Sequence, residues 1–208
     1  MARTAVVLSC VVVVLTAACS RSGSPPSGTP AVRKLTLEQL RNAEYASQWT
    51  RSGKARLVNG QYRESAAPGA ATEVIVTATD LYAMGDLDGD GSEDAVIVLE
   101  SDPGGSGVFF DLVPVLNRQG TPEVLAPVPL GDRVDISGVS LGERQVQVRL
   151  LKHGPDDPQC CPTLDVTLHY RLGPNGLINE GQEPSRTSAA PLTRKTVQSR
   201  TPTAPMRS

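Results

Sequence analysis

The sequence is poor in the residues and motifs that carry catalysis. It has two histidines and four cysteines, and it lacks any Cys-x-x-Cys, which removes a thioredoxin-type enzyme. It has no metalloprotease His-Glu-x-x-His, and no nucleophile elbow is expected to set its serines, histidines and aspartates in a working geometry, so a hydrolase is the weakest functional reading. Neither Gly-Lys-Ser/Thr nor a helix start follows Gly104-Gly105-Ser106-Gly107, so these glycines read as a flexible hairpin connection and not as a phosphate cradle. The apolar run from Ala5 to Leu15 is shorter than the about 20 residues of a comfortable membrane-spanning helix. Positive charge is also scarce where the chain can fold. Residues 35–172 hold 20 Asp/Glu against 11 Lys/Arg, near −9, while the whole chain is only −2. Phosphate backbones are bound chiefly by clustered Lys and Arg, so no nucleic-acid partner is expected, and divalent cations suit this domain better.

What is present centres on Gly85-Asp86-Leu87-Asp88-Gly89-Asp90-Gly91-Ser92-Glu93-Asp94, followed at once by the apolar Ala95-Val96-Ile97-Val98-Leu99. Asp86, Asp88 and Asp90 point three carboxylates into one turn, Gly91 permits a sharp reversal, and Asp94 completes a hard-oxygen cage. A backbone carbonyl near Ser92 supplies a further ligand. An EF-hand would need Glu at the twelfth position and flanking helices, whereas that position is Ile97 inside a strand-type run. The plain alternative is an acidic surface turn, but four aspartates within nine residues repel one another without a cation. Calcium is therefore the expected cofactor. The pattern resembles the Asp-x-Asp/Asn-x-Asp-Gly-x-x-Asp loops of integrin-type FG-GAP repeats, a resemblance that implies calcium at the start of a strand.

The N-terminus reads as an address. Arg3 gives a positive start, the Val-rich run follows, and small residues precede a cysteine, which together make a secretory signal over residues 1–18. Leu15-Thr16-Ala17-Ala18-Cys19 resembles the lipobox of bacterial lipoproteins, which implies cleavage before Cys19 and acylation of its thiol and new amine. The expected localisation is exported and lipid-anchored to a bacterial membrane, facing the periplasm or cell exterior. Ordinary secretion with a free Cys19 is the alternative. Residues 19–34 are dense in Ser, Gly and Pro and have little to bury, so they form a disordered tether behind the lipidated cysteine.

Residues 35–172 read as one domain. Leu35-Thr36-Leu37-Glu38-Gln39-Leu40 carries a capping box at Thr36 with a Leu35 to Leu40 staple, and the apolar spacing predicts a helix to about Ser47. Arg56 to Arg63 predicts a hairpin turning on Asn59-Gly60. Glu73 to Thr79, extendable towards Tyr82, Asp94 to Leu99 and Val108 to Leu116 read as strands. Val134-Asp135-Ile136, Gln145 to Leu150 and Leu164 to Leu172 alternate apolar and polar, the pattern of strands with one wet face. The expected class is α+β, mostly β, with the N-terminal helix packed on an antiparallel sheet or sandwich. From Gly173 to Ser208 periodicity is lost, and a disordered tail is expected.

A second constellation is His153-Gly154-Pro155-Asp156-Asp157-Pro158-Gln159-Cys160-Cys161-Pro162-Thr163. In an oxidising compartment Cys160 and Cys161 have only each other as unmodified partners, which favours a vicinal disulfide, constrained and comparatively reducible. Free structural thiols and a copper or zinc site using Cys160, Cys161, His153 and His169 are the alternatives.

Taken with Leu-Gly-Asp-Arg and the opening Leu-Glu-Gln-Leu-Arg-Asn-Ala-Glu-Tyr, these motifs resemble an uncharacterised secreted domain of bacterial envelopes. The Cys-Cys-Pro segment is similar to the LppP/LprE lipoprotein family of actinobacteria. Both resemblances imply a place in the envelope and neither implies a reaction. The expectation is a non-enzymatic, calcium-stabilised module that meets a protein or glycan ligand. The alternative is a redox or soft-metal protein using the Cys160-Cys161 pair.

Overall fold

The computed structural model describes residues 33–184. The expected signal peptide, Cys19 and most of the tether lie outside them, as do residues 185–208. Among the described residues no helix is long and apolar enough to cross a membrane.

The fold is mostly β with antiparallel sheets, as the alternating segments imply. The chain runs α1 (Leu37–Arg41), β1 (Glu44–Ala46), β2 (Lys54–Arg56), β3 (Gln61–Ser65), β4 (Glu73–Gly85), β5 (Asp94–Asp102), β6 (Phe109–Arg118), β7 (Thr121–Val124), β8 (Val128–Asp132), β9 (Asp135–Gly142), β10 (Gln145–Lys152), β11 (Leu164–Gly173) and β12 (Gly176–Pro184). A six-stranded sheet has the order β3-β4-β5-β6-β7 with β8 also on β6, a four-stranded sheet has the order β12-β11-β10-β9, and β1 and β2 form a small ribbon.

The central sheet is covered on both faces. Val96, Val98 and Leu112 share one apolar cluster with Val146, Val148, Leu150, Val166, Leu168 and Tyr170 of the four-stranded sheet. Ala95, Ile97, Leu99, Val113 and Val115 share the other with Leu35, Leu40, Tyr45, Ala55 and Leu57. Two-sided burial is why Ala95-Val96-Ile97-Val98-Leu99 is continuously apolar, whereas β10 and β11, wet on one face, alternate. Each fully buried Val, Leu or Ile contributes about 1.5–3 kcal/mol relative to exposure, so β5 is the thermodynamic axis of the domain.

The long N-terminal helix is a correction. The capping box forms, with Thr36 Oγ1 accepting from Gln39 N–H and Gln39 Oε1 accepting from Thr36 N–H. However, α1 ends at Arg41, and the expected helix packed on a sheet reduces to this short turn. Asn42 ends it: its backbone N–H donates to Gln39 O while Ala43 N–H donates to Leu40 O, its Nδ2 donates to Glu38 O, and its Oδ1 accepts from Asn59 N–H. Tyr45 is then buried on a strand, pairs with Ala55, and donates its hydroxyl to Leu40 O at 2.7 Å. Tertiary pairing overrides the helical spacing.

Two further boundaries differ. Asn59 and Gly60 do form a tight turn with φ of 53° and 89°, closed by reciprocal bonds between Val58 and Gln61. β2 nevertheless pairs with β1, and β3 pairs with β4. At the other end the domain does not stop at residue 172, because β12 pairs with β11 from Gly176 to Pro184. β12 is an edge strand with only Gly176 and Leu177 buried, so it carries no apolar alternation for the eye to find.

Candidate functional site

The aspartate loop joins β4 to β5 and is anchored from beneath. Leu87, the one apolar residue inside it, is buried in the cluster between the two large sheets. Gly89 and Gly91 adopt φ of 87° and 84°, the left-handed region that residues with a Cβ enter at a cost. Those reversals wrap the carboxylates around amide donors. Asp86 Oδ1 accepts from Gly89 N–H at 2.6 Å and its Oδ2 from Gly91 N–H at 3.2 Å. Asp88 accepts from Asp90 N–H, and Asp90 from Ser92 N–H.

Asp94 differs from the others in being buried. Its Oδ2 accepts from Leu87 N–H at 2.8 Å and Asp88 N–H at 3.2 Å, and its Oδ1 accepts from Asn117 N–H at 2.8 Å. One carboxylate thus fastens the loop, the start of β5 and the end of β6. Burial pushes the Asp94 carboxyl up, and the three amide bonds oppose that shift.

Oxygens of Asp86, Asp88 and Asp94 lie within 4.8 Å of one another, the only group of three or more His, Cys, Asp or Glu gathered at such range among the described residues. Three hard oxygens on one turn suit a hard cation, which takes six to eight oxygens when it is calcium. Of the four expected aspartates, Asp90 is not in that group. Sequence reasoning missed two neighbours. Arg118, thirty positions beyond Asp88, donates Nη1 to Asp88 Oδ2 at 2.8 Å and Nε to Glu123 at 2.6 Å. Arg144 lies against Gly89, where a Cβ would come within 2.9 Å of the guanidinium carbon. No local spacing signals either contact, because Arg118 ends β6 and Arg144 lies in the turn between β9 and β10, both far along the chain from the loop.

The second constellation is a loop between β10 and β11. Cys160 and Cys161 are exposed and disulfide-bonded to each other. Asp157 organises the loop: its Oδ2 accepts from Gly154 N–H at 2.8 Å and Thr163 N–H at 2.7 Å, and Thr163 Oγ1 donates as well. Those bonds, the Gly154 one foremost, hold its carboxyl below the usual carboxylate range, and His153 adds to the effect. His153 and the cysteines are not gathered with His169 into a ligand set.

Gly138-Val139-Ser140-Leu141-Gly142 fits the Gly-x-Ser-x-Gly spelling, and sequence reasoning passed over it. It lies wholly within β9, whereas a nucleophile elbow needs a sharp strand-to-helix turn. Ser140 pairs with Gln147, which pairs with His169. Serine and histidine are therefore two strands apart, about 9–10 Å, beyond proton-transfer reach.

No protein family, curated protein or solved structure matches the chain.

Proposed function

We propose that this chain is a membrane-anchored bacterial envelope lipoprotein whose domain is a non-enzymatic binding module stabilised by calcium. The observation that carries the calcium reading is the convergence of Asp86, Asp88 and Asp94 oxygens within 4.8 Å at the head of β5. A cation there would act as a staple. Asp94 links the loop to β6, so holding Asp86 and Asp88 against it would stiffen the end of the doubly covered sheet. Anchorage rests on the Leu-Thr-Ala-Ala-Cys19 ending of the apolar run. The expected ligand is a protein or a glycan of the envelope. Nucleic acid does not fit the excess of acidic residues.

Metal analysis of purified full-length protein, before and after chelation, tests the calcium reading. Stoichiometric calcium that returns on dialysis and raises the melting temperature supports it. A chain that melts identically in chelator and in calcium refutes it. The redox alternative is favoured by one observation, the exposed Cys160-Cys161 disulfide, and thiol titration of native protein separates the two.

A further inference from the structure

The N-terminal approach to the domain and the aspartate loop meet at one buried side chain. Asn117, near the end of β6, is 1 % exposed, and both polar atoms of its side chain are bonded. Its Nδ2 donates to the carbonyl of Arg33 at 2.8 Å and to that of Glu93 at 3.2 Å, and its Oδ1 accepts from Gly120 N–H at 2.6 Å. Its own N–H donates to Asp94 Oδ1 at 2.8 Å. One residue therefore holds together the first described residue of the chain, the start of β5 and the turn between β6 and β7.

The turn is shaped to let Arg33 pass. Gln119 and Gly120 close it with φ of 57° and 89°, and a Cβ on Gly120 would come within 2.6 Å of Arg33 Cβ, so any larger residue there would displace Arg33. Gly120 O accepts from Gln39 Nε2 at 2.8 Å, which ties the same turn to α1. Leu35 is buried in the apolar cluster that includes Leu40 and Tyr45. The exposed ion pair of Lys34 with Glu93, at 3.3 Å, adds little by comparison.

We propose that Asn117 is a clamp through which the aspartate loop governs release of the tether. Asp94 is one of the three carboxylates that converge. It grips Asn117 at the backbone, while the carbonyl of Glu93, one residue earlier, grips the side chain. A cation that fixes Asp94 fixes both bonds, so filling the loop holds Arg33 more firmly, and losing the cation lets the chain lift away around Arg33 and Lys34. Such coupling is reciprocal: a pull on the tether loosens the hold of the loop on its cation. The inference rests on the calcium reading and adds to it a regulated segment, the junction between anchor and domain.

Limited trypsin digestion of the mature full-length protein, read by mass spectrometry, tests it. Arg33 and Lys34 are exposed, so cleavage after them reports local opening of the clamp, and cleavage after Arg21 is the internal reference. In chelator, Asn117→Ala should raise cleavage after Arg33 and Lys34 about tenfold over that reference, the worth of one hydrogen bond. Cleavage after Arg56 in β2, which would signal general unfolding, should not change. Gly120→Ala leaves Asp94 and Asn117 in place, crowds Arg33, and should raise the same two cuts. Calcium should slow them in wild type and not in Asn117→Ala. Equal cleavage of wild type and both variants overturns the clamp, as does a rise that Arg56 shares in both variants. Calcium that raises the melting temperature of wild type while leaving both cuts unchanged overturns the coupling. Calcium that leaves the melting temperature unchanged refutes the calcium reading and the coupling with it, while the comparison in chelator still decides the clamp.

Discussion

Arg118 Nη1 stands 2.8 Å from Asp88 Oδ2 and 3.9 Å from Asp90 Oδ2, so a guanidinium from the end of β6 is the fixed counter-charge of the aspartate loop. Asp88 is also one of the three carboxylates whose oxygens converge. A divalent cation bound there would therefore contend with Arg118 for the same carboxylate, and Glu123, which already accepts from the guanidinium, would hold it if it yielded.

Removing the arginine should tip that contest. Arg118→Ala is expected to bind calcium more tightly than wild type while changing stability in chelator by less than about 1 kcal/mol, the usual worth of an exposed ion pair. At free calcium 100-fold above Kd the metal should add about 2.7 kcal/mol. Calorimetric titration and melting of both proteins check this, and equal calcium affinities would remove Arg118 from the account.

Asp94 should be the most sensitive of the four aspartates to substitution. Asp94→Ala leaves the Leu87, Asp88 and Asn117 amides unpaired in a buried place and is expected to cost about 3 kcal/mol or more. Denaturant unfolding with and without calcium reads it. A loss comparable to that of Asp90→Ala, whose site is exposed, would contradict the central role.

The pH dependence of Asp94 has a definite sign. Its folded pKa is raised by burial, so the folded state binds more protons than the unfolded state between the two values. Its contribution is greatest below the unfolded value of about 3.9 and is lost as pH rises through the folded one. The stability difference between wild type and Asp94→Asn, measured in chelator, should therefore shrink as pH rises through that window. A difference that grows would reverse the assignment.

Asp157 should behave oppositely. Its folded pKa is lowered, so its contribution is present above the unfolded value and lost as pH falls through the folded one. Amide protection at Gly154 and Thr163 is expected to drop in acid, and Asp157→Asn to lack that dependence. In denatured, unreduced protein no label should enter Cys160 or Cys161. Reduction should add two labels and loosen residues 153–163 while leaving the aspartate loop intact.

Lipidation is checked at the N-terminus. Mass spectrometry of protein from membranes should find a chain beginning at acylated Cys19, and Cys19→Ala should move the protein to the soluble fraction. Retention of that variant after a high-salt wash would refute the anchor.

How much was legible follows from where each signal lived. The Asp86 to Asp94 loop and β5 were readable because ligand spacing, glycines and an apolar run fall within fifteen consecutive residues. The strands β10 and β11 were readable because a single wet face enforces alternation. The helix beyond Arg41 was misread because Leu37, Leu40 and Ala43 have helical spacing, while the pairing of Tyr45 with Ala55 is long-range information. β12 was missed because an exposed edge strand has almost no apolar residues to repeat. Arg118 was invisible for a different reason, since its contact with Asp88 joins residues thirty positions apart.

The two-sided covering of β5 also bears on the chain before it folds. Ala95-Val96-Ile97-Val98-Leu99 is uncharged, rich in β-branched residues and free of proline, the composition that stacks between chains as cross-β when left exposed. Its shelter needs β4, β6, the α1 region and the distant β10 and β11, so it stays open until the last of them is in place. Glu93 and Asp94 before it, with Glu100 and Asp102 after it, set like charges at both ends of the segment. In the unfolded chain those carboxylates act as gatekeepers that keep one copy of the segment from another, so Asp94 guards against aggregation with the same group that later fastens the fold.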